Sequence, residues 1–302
     1  MEWAVFIYIG FTLIVMAMLG SRLTDPLQMI RTRAICIVAL AVAITLSKRW
    51  PNRLTTLIRL CTPLALLSQL YPDTYEFSRT FDNMDHIFAS IDQSLFGCQP
   101  SLLFSERVHS WLFNEAVCMG YSAYFVLIAV TLIWFWARRP DEVQRAGFVI
   151  MASFFLYYII FLFVPVGGPQ YYYQAEGVDA ANAIFPEMGR YFDTHTELLP
   201  MPFQEDGGPF CQMVQMAHDA GERPTAAFPS SHIGITNILL LLALRYRQRR
   251  LALLLTPFFI LLCLATVYIH AHYLIDAICG FFSSILVFFL IDYAYTRLFA
   301  NK

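Results

Sequence analysis

Charge is scarce in this 302-residue chain: Asp, Glu, Lys and Arg make up only 14% of it, and 58% is hydrophobic. A soluble domain carries about 25% charged residues, so a polar coat this thin excludes an ordinary water-soluble fold. Internal repeats, heptads and low-complexity tracts are missing as well. Their absence argues against the duplicated halves on which many transporters are built. Only Glu2 precedes the first apolar segment, and no small-residue cleavage site follows it. That segment is therefore expected to remain as a helix and not to be removed as a leader. A metal site is not evident either: His270-Ala271-His272 has no nearby Cys or Glu to complete three or four ligands. The seven cysteines are scattered; Cys98 and Cys211 fall in long loops, where an outer face would permit a disulfide.

Apolar runs are what the chain has in abundance. A spanning helix needs roughly 20 mostly apolar residues, and residues 3–19, 116–136, 147–166, 251–269 and 273–290 reach or approach that length. Residues 233–244 form a shorter run, 34–46 another, and 54–70 carries Arg59. The expectation is an all-α, polytopic membrane protein of about eight transmembrane helices, forming a single integral-membrane domain over 1–302. Residues 81–96 alternate acids with apolar residues at helical spacing and are expected to lie along the membrane surface.

The net charge of −2 hides an asymmetry between the two faces. Lys48, Arg49, Arg53, Arg138, Arg139, Arg145, Arg245, Arg247, Arg249, Arg250, Arg297 and Lys302 all fall on one side of an eight-crossing chain. The long loops at about 71–114 and 167–231 fall on the other side with most of the acids, including Glu205, Asp206 and Glu222. Lys and Arg favour the cytoplasm, so the long loops are expected outside, although Arg22, Arg31 and Arg33 near the first loop argue mildly against this. The location implied is the cell (inner) membrane, with the chemistry facing the periplasm or exterior.

Two histidine motifs stand forty positions apart: Phe228-Pro229-Ser230-Ser231-His232-Ile233-Gly234 and His270-Ala271-His272-Tyr273-Leu274-Ile275-Asp276. Two apolar runs separate them, so a chain crossing down and back returns His232 and His272 to the same face. His272 and Asp276 are four apart and share a helix face. A carboxylate bonded to an imidazole holds one nitrogen protonated and leaves the other free as base or nucleophile. Interfacial histidines with a helix-stabilising aspartate are the bland alternative, and His270 fits it better than His272 does. In the first motif, Ser230 or Ser231 is a good N-cap, and the free N–H groups of Ser231, His232 and Ile233 can receive a phosphate. Gly167-Gly168-Pro169-Gln170-Tyr171 ends a helix at the same face, where glycine permits close backbone approach and tyrosines suit a lipid interface. Arg223 and Arg190 are the basic residues there best placed to touch a phosphate; either could equally balance an acidic loop.

These residues resemble the type 2 phosphatidic acid phosphatase superfamily. Pro229-Ser230-Ser231-His232 is similar to its Pro-Ser-x-His element, and His272 to Asp276 matches its His-x-x-x-Asp element. The resemblance implies a six-helix core acting through a phosphohistidine: His272 as nucleophile, Asp276 as its orienting partner, His232 as the acid for the leaving group. The phosphatases of that superfamily carry a Ser-Arg pair where this chain has Ala265 and Thr266, and no Lys-x6-Arg-Pro element is present near Arg138-Arg139-Pro140. The form His272-Tyr273-Leu274-Ile275-Asp276, with residues 92–100 and 165–171, resembles the branch of inositol phosphorylceramide and other sphingolipid synthases. That branch implies transfer of a phospho-head group, phosphoinositol by this resemblance, from a glycerophospholipid to a ceramide-like alcohol. Ser230, Ser231, Gly168, Pro169, Gln170, Tyr171, Tyr273, Arg190 and Arg223 are then the substrate-binding candidates. The partners are the bilayer, a phospholipid donor and a lipid-alcohol acceptor; nothing points to a nucleic acid or a cofactor. A phosphatase acting on a lipid phosphate or polyprenyl diphosphate would use the same three residues with water as acceptor, and a transporter or scaffold would use the histidines without turnover.

Overall fold

The computed structural model describes residues 1–108, 110–203, 207–219 and 223–299; Glu205, Asp206, Glu222 and Lys302 of the charge count lie outside them. The described chain is helical: α1 (Glu2–Leu19), α2 (Pro26–Arg49), α3 (Arg53–Leu70), α4 (Pro72–Ser78), α5 (Asp85–Phe96), α6 (Pro100–Arg107), α7 (Trp111–Ser122), α8 (Tyr124–Arg138), α9 (Val143–Phe163), α10 (Pro169–Tyr172), α11 (Pro209–Asp219), α12 (Ser231–Arg245), α13 (Arg249–Tyr268) and α14 (Leu274–Phe299). Local chemistry sets several starts. Asp25 caps α2 by accepting the Gln28 N–H at 2.9 Å, and Asn52 caps α3 through the Thr55 N–H at 2.9 Å.

Six helical segments are long and apolar enough to cross a membrane, and α7 with α8, bent by 50°, makes a seventh if counted as one span. The remaining apolar run is α12, with 15 residues. At 1.5 Å per residue it rises about 22 Å, short of a hydrocarbon core about 30 Å thick. Its first turn, where the site lies, runs from the half-buried Ser231 and His232 to the buried Ile233.

Helix α9 is the most buried of the spans and α2 the least. α9 packs against α1, α3, α4, α12 and α14, while α12 is enclosed by α8, α9, α13 and α14. The charges inside the apolar runs are paired. Arg59 of α3 meets Glu2. Arg33, counted above with the first loop, lies inside α2 and is 2% exposed, with Asp73 at 2.6 Å and Thr12 at 3.1 Å. Its charge is neutralised within the bundle, which removes most of its weight against the outward assignment.

The basic loops gather at one end of the bundle. Arg145 bonds Asp292 at 2.6 Å, Arg139 donates to the Tyr246 carbonyl at 3.4 Å, and Trp134 donates to Gln248 at 3.1 Å. Both histidine motifs and the long loops occupy the opposite end. These loops are not bare connections: α4, α5 and α6 lie in the first, α10 and α11 in the second.

Candidate active site

The first turn of α12 builds one wall. The Ser230 hydroxyl accepts the Ile233 N–H at 3.4 Å, and the Ser230 N–H donates to the Asp276 carbonyl at 3.1 Å, tying the Pro-Ser-Ser-His loop to α14. This contact depends on Gly280, because a Cβ there would lie 2.5 Å from the Ser230 carbonyl oxygen. His232 follows in the first turn, its ring 4.8 Å from Tyr121 and 4.5 Å from Tyr124 between centroids.

His272 stands in the turn between α13 and α14, its ring centroid 5.9 Å from that of His232. Its backbone N–H donates to the Thr266 carbonyl at 2.9 Å, and Nδ1 lies 2.7 Å from the Ala227 carbonyl oxygen. A carbonyl only accepts, so Nδ1 carries the hydrogen and Nε2 presents a lone pair. Burial pushes this imidazole down to about 4, with the Ala227 bond opposing the fall. The ring is neutral at ordinary pH.

The direct His272–Asp276 hydrogen bond expected from the four-residue spacing is not made. Asp276 Oδ2 is 3.8 Å from His272 Nδ1 and instead accepts the Tyr273 N–H at 3.0 Å. The reason is local: Asp276 closes the first turn of α14, and its carboxylate takes the free N–H of that turn. The Ala227 carbonyl orients the ring, and Asp276 faces it as a buried carboxyl within Coulombic reach.

Two aspartates of α5 hold this end together, and the sequence reading gave them no such role. Asp85, fully buried, accepts from Asn83 at 2.6 Å, the Gly167 N–H at 2.7 Å, the Gly168 N–H at 2.8 Å and the Tyr273 hydroxyl at 3.0 Å. Burial raises its pKa against the pull of those four donors. Asp92 accepts the Leu274 and Ile275 N–H groups at 2.8 and 3.0 Å, capping α14 from a neighbouring helix. Burial pushes Asp92 up to about 6, and the two N–H groups work against the rise. Residues 81–96, which include α5, were expected to lie along the membrane surface. Asp85 and Asp92 are seven apart, on one face, and that face turns inward.

A cavity of about 570 Å³ reaches from His232 and His272 past Tyr121, Tyr124 and Phe154 to Leu64, Ser68 and Phe125 on α3 and α8. Of the other candidates, Ser231 and Gln170 line it. Gln170 is anchored through its N–H to the His270 carbonyl at 2.8 Å and its carbonyl to the Leu199 N–H at 2.7 Å. Gly168 has φ +95°, and a Cβ there would meet the Ala271 carbonyl at 2.6 Å, so only glycine fits. Pro169 starts α10, and Tyr171 is buried among α10's neighbours with its ring centroid 6.4 Å from Phe192. Tyr273 points away from the cavity, to Asp85. His270, with φ +64°, bonds Ser105 of α6 at 2.9 Å.

The two arginines are not brought to the histidines. Arg190 pairs with Asp193 at 2.9 Å, and the exposed Arg223 guanidinium lies 5.6 Å from the centre of the Tyr75 ring. Cys211 faces Cys118 of α7, sulfur to sulfur 2.8 Å, so its neighbour is not Cys98. His218 of α11 also lines the cavity, 4% exposed. It drew no attention in the sequence because it stands alone in an acidic loop.

Comparison with known families matches residues 86–290 to the PAP2 superfamily. No curated protein and no solved structure matches the chain.

Proposed function

This chain belongs to the PAP2 superfamily, and from that premise we propose that it transfers a phospho-head group, phosphoinositol by its resemblance, from a glycerophospholipid to a ceramide-like alcohol. Membership supports a lipid phosphatase or phosphotransferase type of activity. The observation that carries the mechanism is the pair of imidazoles in the wall of a largely apolar cavity, with the His272 Nε2 lone pair left available.

His272 Nε2 attacks phosphorus, and the bond from phosphorus to the diacylglycerol oxygen breaks. His232 gives its proton to that departing oxygen. The acceptor hydroxyl then returns a proton to His232 and attacks the phosphohistidine, forming the new ester and releasing His272. Donors at the start of α12 face the phosphoryl oxygens, and the Asp276 carboxylate opposes the positive charge that His272 gains. The apolar, tyrosine-rich lining favours transfer over hydrolysis, because apolar walls limit the access of water to the intermediate and strengthen its polar contacts.

Purified protein supplied with labelled phosphatidylinositol and ceramide is expected to release diacylglycerol only when ceramide is present, in equal amount to the new lipid. Steady release of inorganic phosphate from phosphatidic acid or a polyprenyl diphosphate, with no lipid acceptor, makes it a phosphatase instead. The gathering of the basic loops at the opposite end supports an active site facing the periplasm or exterior. In a cysteine-free background, an impermeant thiol reagent on intact cells is expected to label Asn182→Cys and not Gln248→Cys; the reverse pattern places the chemistry in the cytoplasm.

A further inference from the structure

Helix α11 belongs to the long loop before the first histidine motif, yet it is fixed to a span. Two glycines precede it and permit close approach: a Cβ at Gly208 would lie 2.6 Å from the Glu115 carboxyl carbon, and one at Gly207 would lie 3.0 Å from the Cys211 Cβ. Glu115 of α7 accepts the Phe210 and Cys211 N–H groups, each at 3.1 Å, so α11 starts in one register against α7.

Cys118 stands three residues after Glu115, on the same face of α7, and its sulfur is 2.8 Å from that of Cys211. The carboxylate that takes the Cys211 N–H therefore also fixes which side chain Cys211 meets. Both cysteines are 1% exposed or less, inside an apolar cluster that includes Val117, Val214, Tyr268 and Ile269. Ninety-three positions separate them in sequence, and a cross-link over so long a loop removes much freedom from the unfolded chain.

We propose that Cys118 and Cys211 are joined as a disulfide that staples α11 to α7. This rests on the outward facing of this end, because the cytoplasm keeps thiols reduced whereas the periplasm and the exterior permit the bond. The oxidant is a protein or small-molecule disulfide of that compartment. One cysteine attacks it as a thiolate and forms a mixed disulfide, and the other then displaces the oxidant's remaining sulfur. Two thiol protons leave, and two electrons reduce the oxidant to its thiol form. The exchange takes place before α11 settles on α7, since the packed pair is closed to a reactant of that size. After packing, the same burial keeps reductants away. The staple holds the helix whose far end, Ala217 and His218, lines the cavity, and it does so from α7, which carries Tyr121 against His232.

For the test, membranes holding the full-length chain are denatured in N-ethylmaleimide, which caps free thiols, and digested for mass spectrometry. A linked pair of peptides containing Cys118 and Cys211 is expected in most of the chain and is lost after dithiothreitol. Alkylation of both cysteines in most of the chain overturns the proposal, as does a link from Cys211 to Cys98. Stability gives a second reading that needs no variant. Once the same alkylation shows the pair reduced, purified wild type is expected to melt about 5 °C lower or more. Oxidised and reduced wild type melting alike overturns the staple, and so does an equal shift by reductant in the double variant Cys118→Ala, Cys211→Ala. If the thiols are free while an impermeant reagent labels Asn182→Cys from outside, only this inference falls. If that reagent labels Gln248→Cys instead, the sidedness falls with it.

Discussion

At the basic end of the bundle, Asp292 faces cations: Arg145 at 2.6 Å and Arg245 at 3.9 Å. At the other end, Asp85 and Asp92 are fully buried and, among the described residues, face none. Their partners are backbone N–H groups, an amide and a phenol. The contrast separates two uses of the same side chain. A carboxylate beside partly exposed guanidiniums keeps its charge balanced in more than one geometry and contributes modestly. A buried carboxylate that receives several fixed N–H groups holds the backbone in place, because each donor it abandons is left unsatisfied. The basic end can set orientation in the bilayer, and the acidic end sets the positions of atoms around His272.

The largest expected effect falls on the residue this scaffold presents. His272→Ala is expected to lower turnover by at least about four orders of magnitude, as loss of a nucleophile does, with thermal unfolding little changed. Single-turnover assays on purified protein measure it, and near-wild-type activity would remove His272 from the chemistry.

The next effect tests the scaffold itself. Asp85→Ala strips the acceptor from two backbone N–H groups, the Asn83 amide and the Tyr273 hydroxyl. With each buried orphan costing about 1–3 kcal/mol, a loss of about 3 kcal/mol or more is expected in detergent unfolding, and activity should fall about 100-fold or more. Asp85→Asn should keep part of both. If Asp85→Ala melts like wild type, the buried acids are not what holds this end.

Much of this was legible in the sequence because polar residues stand out in an apolar chain. His232, His272 and Asp276 could be singled out by type and spacing alone, and the apolar runs located the spans. What was not legible depends on partners distant along the chain. Asp85 meets Gly167, Gly168 and Tyr273, and nothing in the spacing of its own segment points to partners so far along the chain. The Ala227 carbonyl that orients His272 leaves no trace in residue identity, since every residue has one. The spacing of His272 and Asp276 was read as one helix face, but His272 stands in the turn before α14, and the spacing could not tell whether the nearest donor to the carboxylate would be an imidazole or a backbone N–H.

That distinction grades Asp276. A direct His–Asp bond that fixes the tautomer is worth about 10⁴ in kcat when broken. Here the Ala227 carbonyl holds the tautomer and Asp276 Oδ2 lies 3.8 Å from Nδ1. Asp276→Asn is therefore expected to cost only about 10- to 100-fold in kcat, from lost charge stabilisation of the phosphohistidine. A fall of 10⁴ would mean that the carboxylate closes on His272 during the reaction.

The acid limb of kcat/KM sharpens the same point. This limb reports the free enzyme's base, and burial places His272 at about 4, below an ordinary histidine. Protonation takes away the Nε2 lone pair, so activity is expected to hold down to about pH 4 and to fall about tenfold per unit below it. A limb near 6.5, the ordinary histidine value, would mean that His272 is solvated in the working enzyme.

The smallest effect is expected at the opposite end. Asp292→Asn removes the charge that faces Arg145 and Arg245 but leaves an oxygen able to accept from the Arg145 guanidinium, and both arginines retain access to solvent. Stability is expected to fall by about 1 kcal/mol or less, and kcat/KM to stay within about twofold, since no residue of the cavity depends on this pair. The decisive measurement is Asp292→Asn beside Asp85→Asn in one assay and one detergent. Both replace a carboxylate with its isosteric amide, so side-chain volume cancels and only the kind of partner differs. Equal losses at the two ends would show that carboxylate charge matters in the same way throughout, and that the division between orienting and positioning acids does not hold.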